Sequence, residues 1–152
     1  MARPGSILIT LVALVTSVMC YIIEFNETHI YNPRWPPHAK FHGGQTMSMG
    51  LVLGLTALFY LYRHSPSAEL KIHDLHTATW ISSLYWITQL SAFLYPGSAA
   101  MDPEFGDGAP QIRVCAVVLT MLGVGLWVER RRLVAAAAAE ARGASAEKTR
   151  RY

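Results

Sequence analysis

Long stretches without a charged side chain constrain this sequence more than any other feature. Three of them lack Asp, Glu, Lys and Arg altogether: 6–23, 43–62 and 75–95. Each approaches or exceeds the ~20 residues with which a helix, rising about 1.5 Å per residue, crosses ~30 Å of hydrocarbon. A fourth apolar stretch, 114–128, attains this length when it is extended back through Arg113 to Ala109. The sequence therefore predicts an all-α, polytopic membrane protein that forms a four-transmembrane-helix bundle.

The predicted helices cover about residues 6–24, 38–63, 73–95 and 109–130, and the last has a helical extension to residue 142. The first could instead be a secretory signal, but it shows no small-x-small cleavage site and is long for the apolar region of a signal. We therefore expect a retained anchor. Alanine-rich sequence favours helix as far as Gly143, a natural stop. Residues 1–142 then form a single transmembrane domain, followed by a basic, disordered tail at 143–152.

The distribution of charge predicts how the chain sits in the membrane. Basic residues flank the helix ends that share one side of a four-pass arrangement, namely Arg3, Arg63, Lys71 and the run 130–132. The other side receives the acidic loop 96–110. By the positive-inside rule both termini are cytosolic, and we expect the endoplasmic reticulum or another endomembrane. Three basic residues oppose this orientation: Arg34, Lys40 and Arg113.

Composition excludes several other classes of protein. The chain is 52% hydrophobic and 15% charged, whereas about a quarter of the residues of a soluble domain are charged. The formal charge of +3 lies at membrane edges and in the tail, so we expect membrane lipid as its partner and no nucleic acid. Cys20 and Cys115 lie inside predicted helices, where we assign them to packing. No glycine-rich phosphate loop, G-x-S-x-G elbow or zinc-finger spacing is present in the sequence.

Small and polar residues within the predicted spans indicate helix packing. Gly50 and Gly54 form a G-x-x-x-G pair that allows another helix to approach closely. We favour packing within the chain, although a homodimer through this pair is the alternative. The third span carries hydroxyl and amide side chains at Thr77, Thr79, Ser82, Ser83, Thr88, Gln89 and Ser91. Because polar side chains that face lipid are costly, most of them should point into the bundle.

The candidate functional site lies between the first two spans, where Phe25 to His42 (FNETHIYNPRWPPHAKFH) concentrates polar and ionisable residues. Glu24 closes the first helix at the negative end of its dipole, a position that disfavours a carboxylate. It should therefore be partly protonated or have a cationic partner, for which Arg34 and Arg113 are the candidates. A Glu in that state can act as a general acid or base, although a hydrated Glu at the membrane edge fits equally well.

A histidine pair lies further along the same stretch. Pro36 and Pro37 favour a helix start, and His38 and His42 then share one helical face at spacing i, i+4. A helix N-terminus disfavours added positive charge, so both rings are biased toward the neutral form that accepts protons or binds metal. We favour metal-free proton transfer over metal binding and predict no cofactor, while anchoring at the membrane interface is the structural alternative. A metal site would need a third ligand: His29, Glu24 or Glu27.

The density of other side chains around this pair favours a site over interfacial anchoring. The predicted catalytic residues are His38, His42, Glu24, Glu27, His29 and Arg34. The predicted substrate-binding residues are Asn26, Asn32, Trp35, Gln45 and Arg113. Asn26-Glu27-Thr28 also forms an N-glycosylation sequon, which we expect to be unoccupied because it lies so near the membrane.

A second ionisable group, His73-Asp74-Leu75-His76, opens the third predicted helix. His73 and His76 share a face, and Asp74 suits a helix N-terminus electrostatically. On the four-pass topology a bilayer thickness of ~30 Å separates this group from the histidine pair, so the two cannot form one metal site. We favour helix initiation and a place at the interface as its role.

The stretch NETHIYNPRWPPHAKFHGGQT resembles the N-terminal signature of small four-helix integral membrane proteins of fungi and bacteria, N-x-T-H followed by N-P-x-W-P-x-H-A-[KR]-F-H. That family has no established activity. An acidic residue commonly precedes the first Asn of the signature, whereas here Phe25 stands there and Glu24 lies one place earlier. Fungal members occur among biosynthetic genes for secondary metabolites, so the resemblance implies a tailoring role.

We therefore expect an enzyme that tailors a lipophilic polyketide or terpenoid by acid–base chemistry: isomerisation, cyclisation or hydration. The histidine pair would transfer protons, a glutamate would assist it, and Arg34 or Arg113 would stabilise an enolate or oxyanion. Two alternatives stay open. One is a small membrane oxygenase similar to the four-helix anthrone oxidases, and the other is a non-catalytic membrane scaffold that acts through the glycine pair and the basic tail.

Overall fold

Four α-helices and one 3₁₀ turn make up the described part of the chain. The computed structural model describes residues 3–150, without the side chains at positions 109, 140 and 143–150. Its elements are α1 (Pro4–Glu24), α2 (Pro37–Tyr62), α3 (Ala68–Ser91), the 3₁₀ turn Ala92–Leu94 and α4 (Ala109–Arg150). Residues 3–150 contain no strand, which confirms the prediction of an all-α protein.

Prolines and a serine mark where three of the helices begin. Pro4 and Pro37 lie in the first turns of α1 and α2, where a missing N–H removes no helical hydrogen bond. Ser67 caps α3, because its side chain accepts from the backbone N–H of Leu70 at 3.2 Å. This helix therefore begins before His73, and the group His73-Asp74-Leu75-His76 lies beyond its first turn rather than at its start.

The last helix is longer than the sequence predicted. We expected a helix to end at Gly143 and a disordered tail to follow, whereas α4 continues to Arg150. A glycine costs ~1 kcal/mol in a helix interior relative to alanine, and the neighbouring alanines allow the helix to continue past it. Residues 151–152 of the predicted tail lie outside the described range.

The helices form a ring in chain order. α1 packs against α2 and α4, and α3 packs against the same two helices. Trp86 of α3 reaches across the ring and donates from its indole N–H to Thr16 Oγ1 of α1 at 2.9 Å. Loop 25–36 and loop 95–108 therefore share one end of the bundle, and loop 63–67 lies at the other.

The bundle buries polar side chains beside an apolar core and exposes large apolar side chains on its outer surface. The buried polar residues of the helices are Ser6, Thr16, Ser17, Asp74, Thr79, Ser82, Ser83 and Glu129. Outward-facing side chains are mainly aliphatic or aromatic, and Ile22 and Phe59 are each 61% exposed. A soluble bundle would cover its surface with polar side chains, whereas a bundle in hydrocarbon keeps apolar side chains there.

Three helices of the described region are long and apolar enough to cross a membrane, at Pro4–Glu24, Pro37–Tyr62 and Pro110–Ala139. The last of these is longer than the span predicted at 109–130. The span predicted at 73–95 lies largely in α3, whose serines, threonines and glutamine lower its hydropathy. A crossing by α3 therefore stays a prediction.

Glycines of α2 bring this helix into close contact with α1. A Cβ on Gly50 would lie 2.6 Å from Cys20 Sγ, and one on Gly54 would lie 2.5 Å from the carbonyl oxygen of Ala13. The face that carries the G-x-x-x-G pair thus packs against α1 within the chain. This is the arrangement that we favoured over a homodimer.

A buried carboxylate secures the end of the bundle at loop 63–67. Asp74 is 1% exposed and precedes the charge-free stretch 75–95; it accepts from the Arg63 guanidinium and from Ser65 Oγ, the latter at 2.6 Å. The hydrogen bond from Arg63, above all, holds the pKa of Asp74 below its usual range and raises the pKa of Arg63. Asp74 therefore joins α3 to the end of α2 rather than initiating α3.

A second carboxylate joins α4 to the start of α1. Glu129 is 3% exposed and accepts from the backbone N–H of Ser6 at 3.4 Å and from Arg132 Nε at 2.8 Å. The N-terminus of a helix favours negative charge, so the helix dipole stabilises this carboxylate. A Cβ on Gly5 would lie 2.6 Å from Glu129 Cβ, and glycine is therefore what allows α4 to approach.

Candidate functional site

The turn after α1 is built by the side chain of Asn26. Its Nδ2 donates to the carbonyls of Ile22 at 3.1 Å and Ile23 at 2.7 Å, which lack partners at a helix C-terminus. Its Oδ1 accepts from the backbone N–H of Thr28 at 2.8 Å and from Thr28 Oγ1 at 2.6 Å. Asn26 therefore ends the helix and fixes the next turn, which holds Glu24 at the last helical position.

Glu24 and His29 face each other across this turn. Glu24 Oε2 lies 3.4 Å from His29 Nε2, and the two side chains are 19% and 28% exposed. On the far side of the ring, His29 Nδ1 lies 2.6 Å from Thr28 Oγ1. The indole of Trp35 packs nearly perpendicular to the imidazole, with ring centroids 4.8 Å apart. His29 thus has a contact at each ring nitrogen and a third with an aromatic ring.

The protons around Thr28 determine the tautomer of His29. Thr28 has one hydroxyl proton and donates it in a hydrogen bond to Asn26 Oδ1, which can only accept. Thr28 Oγ1 must then accept from the Nδ1–H of His29. A neutral ring therefore presents the lone pair of Nε2 toward Glu24 Oε2, 3.4 Å away. A pair of this kind can both take up and release a proton.

A cleft of about 410 Å³ opens beside this pair. Its volume lies in the range of small-molecule sites, roughly 300–1,000 Å³. Loop 25–36 forms one wall and loop 95–108 the other. Besides Glu24 and His29, the lining includes Asn26, Thr28, Trp35, Met101, Asp102, Phe105 and Gln111.

A second, narrower crevice of about 160 Å³ reaches Glu24 between α1, α3 and α4. Its outer walls include Val15, Ile23 and Val114, whose side chains are 37%, 47% and 44% exposed. Gln89 lines its inner part, and the buried Oε1 of this residue has no hydrogen-bond partner within the described part of the chain. Glu24 lines both spaces and therefore lies where they meet.

His38 and His42 pair with each other at the start of α2. Their Nε2 atoms lie 3.1 Å apart, and Gln45 Oε1 lies 3.2 Å from His42 Nδ1. All three side chains are exposed, and none of them lines the cleft. Residues 3–150, as far as their side chains are described, contain no group of three or more His, Cys, Asp and Glu side chains that could hold a metal ion. Three residues were expected as a possible third metal ligand beside His38 and His42, and none of them lies with this pair: His29, Glu24 and Glu27.

Neither arginine expected beside Glu24 forms an ion pair with it. Arg34 pairs with Glu104 of loop 95–108, and its side chain is 65% exposed. Arg113 is exposed on α4. Loop 25–36 folds back over the end of α1, and this places the imidazole of His29, rather than a guanidinium, beside the carboxylate.

Two other predicted residues lie outside the cleft lining. Asn32 is 2% exposed, donates from Nδ2 to Thr28 O at 3.4 Å and accepts at Oδ1 from the backbone N–H of Arg34 at 2.9 Å. These hydrogen bonds hold the shape of loop 25–36. Glu27 is exposed. The sequon stays a prediction, and because Asn26 Nδ2 already donates to two carbonyls, the structure adds a reason to expect no glycan.

Sequence reasoning did not single out several residues that line the site. It treats Thr28 as part of a sequon, although Asn-x-Thr is also the pattern of a turn in which the Asn side chain accepts from the residue two places on. The Asn-x-Thr pattern could therefore have predicted this turn from the sequence. The sequence places Gln89 inside the bundle, but only the packing of α3, α4 and loop 95–108 brings Gln89, Phe105 and Gln111 to Glu24.

Comparisons with known proteins bear on the identity of the chain. No curated protein and no solved structure matches it. The model of a family of unknown function, DUF6640, matches residues 8–141, which include Glu24, His29 and parts of all four helices. This match agrees with the resemblance to a family without an established activity. The chain therefore belongs to the family of unknown function DUF6640.

Proposed function

We propose that this protein is a membrane-embedded enzyme that moves a proton on a lipophilic small molecule, with Glu24 and His29 as its acid–base pair. The observation that carries the proposal is the position of this pair, whose carboxylate and imidazole lie 3.4 Å apart where a cleft and a crevice meet. Isomerisation, cyclisation or hydration of a polyketide or terpenoid would be reactions of this kind.

The proposal includes four membrane crossings. Three helices qualify by length and composition, and α3, with 24 residues, packs against α2 and α4 in the same bundle. Its buried Thr79, Ser82 and Ser83 face other helices rather than lipid, so a low hydropathy does not prevent a crossing. With the basic end of the bundle in the cytosol, both termini are cytosolic and the cleft faces the lumen of an endomembrane.

The two groups of the pair take complementary roles in an isomerisation. In the form with Nε2 of His29 protonated and Glu24 ionised, the Glu24 carboxylate would accept a proton from one atom of the substrate and Nε2 would donate its own proton to another. The proton on Glu24 Oε2 then passes to Nε2, which restores the starting state. Thr28 and Asn26 keep Nδ1 protonated throughout, so the exchange is confined to the two atoms that face each other.

The crevice supports a lipophilic substrate. Val15, Ile23 and Val114 are exposed on the surface where the bundle would meet acyl chains, so a molecule dissolved in the bilayer reaches Glu24 without crossing water. Deeper in the crevice, Gln89 Oε1 offers an acceptor without a partner among the described residues. An unsatisfied buried acceptor is costly, and a hydroxyl group of the substrate would satisfy it.

Deletion of the gene, followed by complementation at matched protein level, tests the proposal. Glu24→Gln keeps the shape of the side chain but cannot exchange a proton, so a precursor that accumulates in the deletion should remain unconverted. The expected loss of turnover is about 100- to 10,000-fold. Glu27→Gln, at the exposed neighbouring carboxylate, is the matched control and should convert the precursor as the wild type does.

The histidines are compared in the same experiment. His29→Gln should fail to complement, whereas the double variant His38→Ala with His42→Ala should restore conversion, because that pair does not line the cleft. Full conversion by both Glu24→Gln and His29→Gln would contradict the proposal. Failure of the His38 and His42 double variant alone would assign the acid–base role to that pair instead.

A further inference from the structure

A cavity of about 620 Å³ lies at the end of the bundle opposite Glu24. It is bounded by the residue before α1, by loop 63–67 and by one face of α4. The acid–base function proposed above makes no use of it. The lining includes four cationic side chains: Arg3, Arg63, Lys71 and Arg132.

The charges around this cavity do not cancel. Two of the four cations have carboxylate partners, since Arg63 pairs with Asp74 and Arg132 pairs with Glu129. The other two cations form no ion pair among the described residues. Four cations against two carboxylates leave two positive charges uncompensated around one open cavity.

Lys71 shows how closely these charges are gathered. Its Nζ donates to the carbonyl oxygens of Leu61 at 2.7 Å and Arg63 at 3.3 Å, at the end of α2. Burial lowers the pKa of Lys71; the charges of Asp74 and Glu129 oppose this effect, and the charges of Arg3 and Arg63 add to it. A bound anion would stabilise the ammonium against its cationic neighbours.

The remaining walls give the cavity an apolar side next to the membrane. Leu133, Ala136 and Ala137 of α4 line it, and the short alanine side chains leave room beside the helix. Tyr62 also lines the cavity and is 55% exposed at the end of an apolar helix. A ligand can therefore keep its chains along α2 and α4 while its polar head reaches the basic side chains.

We propose that this cavity binds the phosphomonoester headgroup of a membrane lipid. A phosphomonoester carries about −1.5 to −2 charge near neutral pH, which matches the two uncompensated cations. Arginine and lysine bind phosphate oxygens through charge-assisted hydrogen bonds, and basic pockets at the cytosolic ends of membrane helices bind such headgroups. The site is separate from Glu24 and does not depend on the proposed acid–base function.

Binding of short-chain lipids to the full chain in detergent tests this proposal. The probes are dioctanoyl phosphatidic acid, dioctanoyl phosphatidylcholine and inorganic phosphate, and affinity follows from thermal stabilisation against probe concentration. Phosphatidic acid should bind at least about tenfold more tightly than either other probe. Equal binding of inorganic phosphate would assign the cavity to a soluble anion, and equal binding of phosphatidylcholine would show that headgroup charge is not recognised. Either result overturns the proposal.

Variants of residues in and beside the cavity test whether the lipid binds there. Arg3→Gln with Lys71→Gln removes both uncompensated charges and should weaken phosphatidic acid binding about tenfold or more. Arg130→Gln with Arg131→Gln removes the same charge next to the cavity and should change the affinity by less than about threefold. Because Lys71 also bonds to the end of α2, Ala137→Trp serves as a second test, since it fills the cavity without a change of charge. Equal weakening in both double variants, or unchanged binding in Ala137→Trp, would overturn the proposal.

Discussion

At the scale of single residues, Asn26 and Thr28 decide which nitrogen of His29 carries a permanent proton. The hydroxyl of Thr28 donates its hydrogen bond to Asn26 Oδ1, so Thr28 Oγ1 must accept from the Nδ1–H of His29. The ring would otherwise be free to turn or to change tautomer, and the lone pair of Nε2 would no longer face Glu24. The relay consists of neutral groups, so it orients the imidazole without changing the charge of the site.

Thr28→Val should therefore lower kcat about tenfold or more with little change in KM, because valine keeps the volume of threonine but cannot accept from Nδ1. The measurement is the steady-state conversion of the precursor identified by gene deletion. Thr56→Val is the control, since Thr56 Oγ1 bonds at 2.7 Å to the carbonyl of Val52 in its own helix. A rise in KM at constant kcat would show that Thr28 binds substrate instead of positioning His29.

Asp74→Asn should destabilise the bundle at neutral pH and make its stability less sensitive to acid. The pKa of Asp74 is depressed in the folded state, so its carboxylate stabilises the fold above the unfolded pKa of about 4 and loses this effect as the pH falls through the folded pKa. We expect a Tm about 5 °C lower at pH 7. The difference from the wild type should shrink as the pH is lowered.

Thermal unfolding in detergent at several pH values measures this effect. Glu69→Gln, at an exposed carboxylate of the same helix, is the control and should leave Tm nearly unchanged. A Tm difference between Asp74→Asn and the wild type that stays constant down to strongly acidic pH would show that the loss comes from packing and not from ionisation.

The sequence identifies the residues of the candidate site better than it identifies their partners. The helix dipole predicts that Glu24 is protonated or has a cationic partner, and the imidazole of His29 lies beside its carboxylate. Which side chain does so depends on a turn made by side-chain hydrogen bonds, and composition does not encode that turn. The spacing of His38 and His42 correctly places both on one helical face, but it cannot show that this face lies outside the cleft.

At the scale of helices, α1 is the element against which α2 and α4 pack through glycine. Its contact with α2 runs through Gly50 and Gly54. Its contact with α4 runs through Gly5 and Gly125, where a Cβ on Gly125 would lie 3.0 Å from the carbonyl oxygen of Gly5. Backbone contact of this kind suits helices in lipid, where the burial of apolar side chains adds little to association.

Alanine substitutions at two glycines of α2 should shift Tm in opposite directions. Gly54→Ala should lower it, because the added Cβ would overlap the side chain of Ser17 and lie 2.5 Å from the carbonyl oxygen of Ala13. Gly44→Ala should raise it slightly, because nothing lies within 4 Å of that position and alanine is the better helix former by about 1 kcal/mol. Thermal unfolding of both variants in one detergent decides the matter, and a shift of the same sign in both would contradict the packing described.

Helix boundaries follow the sequence where a local signal exists. Pro37, which lacks an N–H, marks the start of α2 close to the predicted residue 38. The predicted start of α3 at residue 73 is wrong, because Ser67 supplies a cap and the helix begins at Ala68. Gly143 alone does not end α4, because a helix stops at glycine only when the following residues provide the capping hydrogen bonds. Hydropathy alone does not predict whether α3 crosses the membrane, because its polar residues are shielded from lipid only once α3 packs against α2 and α4.

At the scale of the whole molecule, the two ends of the bundle differ in chemistry. Ion pairs of the buried carboxylates Asp74 and Glu129 hold one end. At the other end, hydrogen bonds of Asn26 shape the turn beside Glu24, and the ion pair of Arg34 with Glu104 is more exposed. Apolar stretches alone are enough to predict the all-α fold and three of its membrane-spanning candidates. The cleft could not be predicted in this way, because its walls belong to two loops that meet only after folding.

Cysteine labelling should place loop 63–67 and loop 95–108 on opposite sides of the membrane. Pro66→Cys and Pro103→Cys put a thiol at an exposed position in each loop, and the native Cys20 and Cys115 are buried and should react little. In sealed microsomes with the cytosolic face outward, an impermeant maleimide should label Pro66→Cys at once and Pro103→Cys only after permeabilisation. Labelling of both variants without permeabilisation would show that α3 does not cross.

The glycine contacts of α1 also bear on how this protein can be handled. Helices held together by backbone against backbone depend on shape, which is the same in a bilayer and in a micelle. Extraction into mild detergent should therefore leave the bundle assembled and monodisperse. Isolated spans should in turn recombine when mixed, so the chain is a good subject for reconstitution from separately expressed halves.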